Sequence, residues 1–116
     1  MSRDLRLYLT NIQSSITKIN TYIEGIDSIE DFLQDGKTFD AVVMNLQIIG
    51  ESVKYIPPDM CSEHPQIPWK SVVGLRDIIS HTYDLLEEEI IWDVVRNELS
   101  LLHDATNSIL KKLLES

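Results

Sequence analysis

Apolar residues recur every three or four positions through most of this chain, which is the spacing of one face of an α-helix. The first such segment covers residues 4–24, about six turns, with apolar positions at Leu5, Leu9, Ile12, Ile16, Ile19 and Ile23. Gly25 stands where a helix of this kind ends. Asp27 or Ser28 can then cap a short second helix, with Asp31 in the capping-box position after Ser28.

The same spacing predicts a third helix over about residues 39–56, after a turn at residues 35–37 and with Thr38 as its cap. Gly50 lies inside this helix. A glycine there costs about 1 kcal/mol relative to alanine, but it lets another helix approach closely. Two prolines at 57–58 end the segment, because neither can donate a backbone hydrogen bond.

The second half of the chain predicts two more helices. Prolines cluster in residues 57–68, which indicates a loop, and Trp69 begins the next helix, which continues through Tyr83. A last helix covers roughly residues 87–114, with acidic residues at its start and lysines near its end, as the helix dipole favours. We therefore predict an all-α fold, an antiparallel bundle of four to five helices formed as one domain by residues 1–116.

Composition agrees with this prediction and limits the compartment. The 116 residues are 43% hydrophobic, with only 4 Gly and 4 Pro, which favours helices over a turn-rich sheet. The single cysteine, Cys61, excludes an internal disulfide and agrees with a reducing cytoplasm. No segment reaches the ~18 continuous apolar residues of a membrane span. The sequence thus predicts a cytoplasmic protein with no membrane association.

The charge is acidic and unevenly distributed. The chain has 19 acidic and 10 basic residues, a net charge of −9, whereas nucleic-acid backbones attract basic proteins. Residues 84–98 carry six acidic side chains against Arg96 alone. A solvated face is the ordinary interpretation of such a run, and a surface for a basic partner is the alternative.

Residues 76–83 combine three groups suited to chemistry on a phosphate. Arg76 offers a permanent cation with a planar set of donors, His81 can exchange a proton near neutral pH, and the Tyr83 hydroxyl donates and accepts hydrogen bonds. On a straight helix Arg76 and Tyr83 share one stripe, while His81 lies about 140° around the axis. A local departure from the helix, or a second copy of the chain, is needed to bring all three together.

Purely structural roles are the alternative for these residues: Arg76 pairing with a carboxylate, His81 with a core carbonyl, and Tyr83 packed as an ordinary aromatic. Other chemistry is less well supported. Cys61 and His64 have a metal-like spacing, but zinc needs four ligands and no second pair is evident. There is no glycine-rich phosphate loop. We predict neither a metal nor a cofactor.

The RxxxxHxY string formed by Arg76, His81 and Tyr83 resembles the signature of HEPN-domain toxins of the HepT type. These are the ribonuclease members of HEPN/minimal-nucleotidyltransferase toxin–antitoxin pairs. Further stretches are similar to the family in the same order, over about residues 39–102: LQIIGES at 46–52, IPW at 67–69 and IWDVV at 91–95.

This resemblance implies a HEPN bundle that forms a homodimer, with the motif lining a cleft between protomers. It also implies metal-independent cleavage of RNA, in which the 2′-hydroxyl attacks the adjacent phosphate. His81 would move protons, Arg76 would stabilise charge on the phosphate, and Tyr83 would position the reacting groups. Asp77, beside the motif arginine, would raise the pKa of His81 or pair with Arg76.

The resemblance further implies a cognate nucleotidyltransferase antitoxin that adds AMP to Tyr83. A phosphate on that hydroxyl would place negative charge where the substrate phosphate has to bind. The alternative function, favoured by the acidic charge, is a non-catalytic helical dimer. Its cleft would bind a nucleotide or a partner nucleotidyltransferase.

Overall fold

The computed structural model describes residues 2–77 and 85–115, with side chains at 4–77 and 88–115. These residues form α-helices joined by turns, and no strand occurs among them, which confirms the prediction of an all-α fold. The helices are α1 (Ser2–Tyr22), α2 (Ile29–Gln34), α3 (Gly36–Val53), α4 (Pro58–Ser62), α5 (Trp69–Gly74), α6 (Leu85–Asp93) and α7 (Leu99–Glu115).

The centre of the core lies where α1 packs against α3 and α7. The apolar positions predicted for α1 are buried here through Ile19, while Ile23, just beyond the helix, is only partly buried. Fully burying a leucine or isoleucine side chain contributes about 1.5–3 kcal/mol. A buried threonine on α7, Thr106, donates its hydroxyl to the Leu102 carbonyl at 3.0 Å, which removes the cost of burying that polar group.

Two helix starts show how short side chains set the boundaries. Ser28 caps α2, as predicted, because its hydroxyl accepts a hydrogen bond from the Asp31 backbone N–H at 3.2 Å. The cap of α3 was assigned wrongly to Thr38. Asp35 is the cap, and its carboxylate accepts from the Thr38 N–H at 3.1 Å. That hydrogen bond also lowers the pKa of the Asp35 carboxyl. Residues 36–37 therefore belong to α3, not to a turn.

The proline-rich connection is more ordered than predicted. It contains the short helix α4, which begins at Pro58, a position where the fixed φ angle of proline suits a helix start. The Trp69 indole N–H donates to the carbonyls of Cys61 and His64, both at 3.0 Å. This tryptophan, partly buried against the core, therefore fastens the connection to the first turn of α5.

The predicted last helix is helical throughout but not uniform. A π-helical turn, Val94–Glu98, joins α6 to α7. Such a turn inserts extra backbone into the helix and changes the direction of the side chains that follow. Upstream of it, the Trp92 ring lies 5.0 Å from Phe32 of α2, measured between ring centroids. Among the described helices, none is long and apolar enough to cross a bilayer.

Gly50 marks the closest approach between α3 and α5. A Cβ atom built on Gly50 would lie 2.5 Å from the Arg76 backbone nitrogen, 2.9 Å from the Val72 carbonyl oxygen and 3.1 Å from the Leu75 carbonyl carbon. All three neighbours are main-chain atoms and cannot rotate away. The prediction that another helix approaches this glycine closely is confirmed. The approaching backbone is that of α5 and of the turn that contains Arg76, the first residue of the RxxxxHxY string.

The α-helix α5 does not continue into the first two residues of the string, Arg76 and Asp77. The α-helix α5 ends at Gly74, and residues 75–77 form a tighter 3₁₀ turn. The Leu75 N–H donates to the Val72 carbonyl, three residues back. A 3₁₀ turn advances about 120° per residue rather than 100°. Within the described residues, the step from Arg76 to Asp77 is therefore wider than on the straight α-helix assumed in the prediction, and His81 and Tyr83 lie outside the described residues.

Gly50→Ala should destabilise the protein, because its methyl group would meet main-chain atoms of α5 and the following turn. Overpacking of this kind typically costs about 1–3 kcal/mol, against which the higher helix propensity of alanine offsets at most about 1 kcal/mol. Gly74→Ala is the matched control, since a Cβ atom there meets nothing within 4 Å. Urea unfolding measures both. A Gly50→Ala protein as stable as Gly74→Ala would contradict the contact.

Candidate active site

Arg76 combines a fixed backbone with an accessible side chain. Its nitrogen lies against Gly50 of α3, in the 3₁₀ turn that follows α5. Its side chain nevertheless keeps 40% of its surface exposed. A guanidinium that is held at its base and open at its tip can bind a phosphate with two parallel hydrogen bonds. Binding of the phosphate is the role predicted for Arg76, and it stays a prediction.

Asp77 pairs loosely with Arg76. The Arg76 Nε and Asp77 Oδ2 atoms are 3.9 Å apart, and the carboxylate is largely exposed. An exposed pair of this length contributes little to stability, so a substrate phosphate can displace it at small cost. This ion pair is one of the possibilities that the sequence suggests for Asp77, and the part that Asp77 plays in the site stays a prediction. His81 and Tyr83 lie outside the described residues.

A second cation lies near Arg76. Lys54, just after α3, donates to the Glu51 carboxylate at 2.6 Å. This hydrogen bond is the main cause that lowers the pKa of Glu51, and the positive charges of Lys54 and, more weakly, Arg76 act in the same direction. The same hydrogen bond raises the pKa of Lys54, which the Arg76 charge opposes. Glu51 is therefore flanked by two cations, Lys54 and Arg76.

Two tyrosines extend this group along the surface. The rings of Tyr8 on α1 and Tyr55, which follows Lys54, are stacked with centroids 4.3 Å apart and planes only 7° from parallel. The Lys54 ammonium lies over the Tyr55 ring, 5.2 Å from its centroid. Sequence analysis missed both tyrosines. Tyr8 lies on α1 and Tyr55 lies in the turn after α3, and neither belongs to the RxxxxHxY string.

The acidic run of residues 84–98 contributes to a different surface. Glu89, Asp93 and Glu98 line a groove of about 430 Å³ between α5 and α6, together with apolar side chains such as Val72 and Leu75. Three carboxylates around an apolar floor repel phosphate and suit a basic partner. Both interpretations made from the sequence, a solvated face and a partner surface, remain compatible with this groove.

Cys61 and His64 have structural roles in the loop before α5. Both carbonyls accept the Trp69 indole N–H. Burial raises the pKa of the Cys61 thiol, and the thiol contacts the Ile56 carbonyl oxygen at 3.8 Å. Within 2–77 and 85–115, no three His, Cys, Asp or Glu side chains come together in a way that could hold a metal ion.

Comparison with known proteins identifies the family. The sequence model of the HepT-like ribonucleases matches residues 12–109, which is most of the chain. This chain belongs to the HepT-like ribonuclease family. The matched region includes α3, α5, Arg76 and the whole RxxxxHxY string. The resemblance inferred from the string is therefore confirmed.

Individual relatives agree over nearly their full lengths. A Methanocaldococcus jannaschii protein that carries the provisional name of an RNase is 38% identical over 97 residues, covering 84% of this chain and 79% of the relative. A similarly named Caldanaerobacter subterraneus protein is 36% identical over 107 residues, covering 92% and 95%. The "Probable ribonuclease HepT" of Thermococcus cleftensis is 37% identical over 102 residues, covering 88% and 92%. No solved structure matches the chain significantly.

Membership in this family confirms the prediction of a ribonuclease at the level of enzyme class. The roles of individual residues, the homodimer, the antitoxin and the modification of Tyr83 stay predictions.

Proposed function

We propose that this protein is a metal-independent endoribonuclease, the toxin of a toxin–antitoxin pair. The observation that carries the proposal is the position of Arg76, a motif arginine whose backbone nitrogen packs against Gly50 while its side chain keeps 40% of its surface exposed. Family membership supports RNA as the substrate. The acidic net charge means that phosphate binding depends on local cations, and Arg76 and Lys54 provide two of them.

The chemistry needs a base and a stabiliser of phosphate charge. The 2′-hydroxyl of one nucleotide attacks its adjacent phosphorus, so that the P–O2′ bond forms and the P–O5′ bond breaks. His81 takes the hydroxyl proton or gives a proton to the leaving 5′-oxygen, a role typically contributing ~10²–10⁴-fold. Arg76 stabilises the negative charge that builds on the phosphate oxygens. Tyr83 positions the phosphate or the attacking group.

Neutralisation would act on the same site. A minimal nucleotidyltransferase antitoxin would add AMP to the Tyr83 hydroxyl, seven residues after Arg76 in the string. The added phosphate would compete with the substrate phosphate for the guanidinium. The acidic groove of Glu89, Asp93 and Glu98 is a suitable surface for a basic face of such a partner.

The homodimer finds support on the outer face of α3. Met44 and Ile48 are 60% and 40% exposed, and they share one stripe of the helix with Glu51, at spacings of four and three residues. A second copy covering Met44 and Ile48 would place its surface beside Glu51 and hence beside Arg76. A cleft completed in this way would contain the motif residues of both protomers.

The second candidate function is a non-catalytic helical dimer that binds a nucleotide or a partner nucleotidyltransferase. The net charge of −9 and the three carboxylates of the groove favour it, because both oppose binding of long RNA. Cleavage of RNA by the purified protein decides between the two candidates.

Cleavage should depend on the motif and not on a metal. We expect wild type to degrade single-stranded RNA in excess chelator, and His81→Ala and Arg76→Ala each to lose about 10²-fold or more. Tyr83→Phe should cleave more slowly and should no longer accept AMP from a cognate nucleotidyltransferase. Arg96→Ala is the matched control, since Arg96 lies over the Trp92 ring and bonds the Ile26 carbonyl instead.

The assay compares rates of RNA loss, with circular dichroism to show that each variant is folded. Wild-type cleavage that His81→Ala leaves unchanged would refute the mechanism. A wild type as inactive as all of its variants would favour the binding function. Activity lost to chelator and restored by a divalent ion would refute metal independence.

Dimerisation should depend on the exposed stripe of α3. Light scattering should give about twice the 13.3 kDa chain mass for wild type. Met44→Glu should lower the mass toward one chain, because it places a charge on a face that the partner covers. Leu114→Glu, an equally exposed position near the end of α7, should leave the dimer intact. A monomeric wild type, or a dimer unaffected by Met44→Glu, would contradict this interface.

A further inference from the structure

The stacked tyrosines form a flat aromatic surface at the edge of the candidate active site. Tyr55 is 48% exposed although it is a large aromatic residue. Tyr8 lies against it in a nearly parallel stack and limits the freedom of its ring. An aromatic ring that is both accessible and held in place is the feature by which proteins bind unpaired nucleobases.

Tyr55 lies five residues after Gly50, the residue of α3 that packs against the Arg76 backbone nitrogen. Tyr55 is the neighbour of Lys54, whose ammonium lies over its ring and also bonds Glu51. Glu51 in turn is within the electrostatic reach of Arg76 and follows Gly50, on which Arg76 lies. Tyr55 and Lys54 therefore both lie within five residues of the glycine that contacts the Arg76 backbone.

We propose that Tyr55, supported by Tyr8, is a stacking site for an unpaired base of the RNA substrate, and that Lys54 binds a neighbouring phosphate. This site rests on the proposed ribonuclease function, which makes RNA the ligand. The base takes the position that the Lys54 ammonium occupies over the Tyr55 ring. The flexible lysine side chain then moves its charge from the ring to a phosphate oxygen.

A stacking site would allow this acidic chain to bind RNA, which is itself negatively charged. A chain with net charge −9 gains little from long-range attraction of RNA. Stacking of a base on an aromatic ring does not depend on net charge, and every base has a face that can stack. Binding would then combine one stacked base with contacts from only two cations, Lys54 and Arg76.

The site also selects the form of the RNA. In a duplex both faces of each base are covered by neighbouring bases, so stacking on Tyr55 requires the base to leave the helix at the cost of unstacking. In single-stranded segments and loops, the free-energy cost of unstacking a base is smaller. The enzyme should therefore prefer unpaired RNA even where the sequence is the same.

The competing explanation is that the tyrosine stack only fastens α1 to the segment after α3. Under that explanation, removal of one ring lowers stability but does not change how a base is bound. The two explanations differ in a spectroscopic signal that a packing role does not affect. The fluorescence of 2-aminopurine, an adenine analogue, falls when the base stacks on an aromatic ring.

The probe is a single-stranded 2′-O-methyl oligonucleotide of pyrimidines with one central 2-aminopurine, which cannot be cleaved because it has no free 2′-hydroxyl. Wild type should bind it with a fall in fluorescence. Tyr55→Leu should weaken binding about tenfold and remove that fall. Tyr55→Phe keeps the ring and should behave as wild type. Tyr22→Leu is the control, because Tyr22 is exposed and lies about 21 Å along α1 from Tyr8. It should change neither the affinity nor the fall in fluorescence.

Unchanged affinity and quenching in a folded Tyr55→Leu protein would overturn the site. If Tyr55→Leu does not fold, Tyr8→Leu and the wild-type signal still decide, because bound wild type without quenching also overturns it. The same outcomes separate this site from the proposed function. Quenching of the probe without cleavage of ordinary RNA would refute the ribonuclease function and support the stacking site. Cleavage of ordinary RNA without quenching of the probe would support the ribonuclease function and refute the stacking site.

Discussion

The close contact between Gly50 and the backbone of residues 72–76 is the constraint on which the candidate site depends. It brings α3 and α5 nearer than any side chain at Gly50 would permit, and the atoms in contact include the Arg76 nitrogen. Because neighbouring positions of α3 then lie beside the motif, the same contact brings Glu51 and Lys54 within the electrostatic reach of Arg76. The packing of α3 against α5 thus determines how close the charges of Glu51 and Lys54 lie to Arg76.

This arrangement explains how an acidic protein can act on a polyanion. Three carboxylates, those of Glu89, Asp93 and Glu98, line the groove between α5 and α6. Arg76 and Lys54 are partly exposed, and among the described residues they form ion pairs with Asp77 and Glu51. Weak, exposed ion pairs are readily exchanged for a phosphate. We therefore expect the local charge around Arg76 and Lys54, more than the net charge of the chain, to govern the binding of a phosphate.

Periodicity predicted the helices and their buried faces well, because each depends on residues three or four apart. The glycine inside the third predicted helix indicated that another helix approaches it closely. Which helix that is depends on the tertiary fold and could not be predicted. The capping preferences of single residues gave the wrong cap at the start of α3, because both Asp35 and Thr38 have side chains that can cap a helix. Local sequence rules also had no means of finding the Tyr8–Tyr55 stack, since the two rings meet only after α1 and α3 have packed.

The most direct test of the account is the rate at which Gly50→Ala cleaves RNA, measured in single turnover at saturating RNA and at a temperature where circular dichroism shows it folded. Gly74→Ala provides the reference. A displacement of about 1 Å at a reacting group can cost ~10²-fold in rate. We expect Gly50→Ala to lose at least about tenfold and Gly74→Ala to cleave like wild type. A folded Gly50→Ala protein that cleaves at the wild-type rate would contradict the claim that this contact positions Arg76.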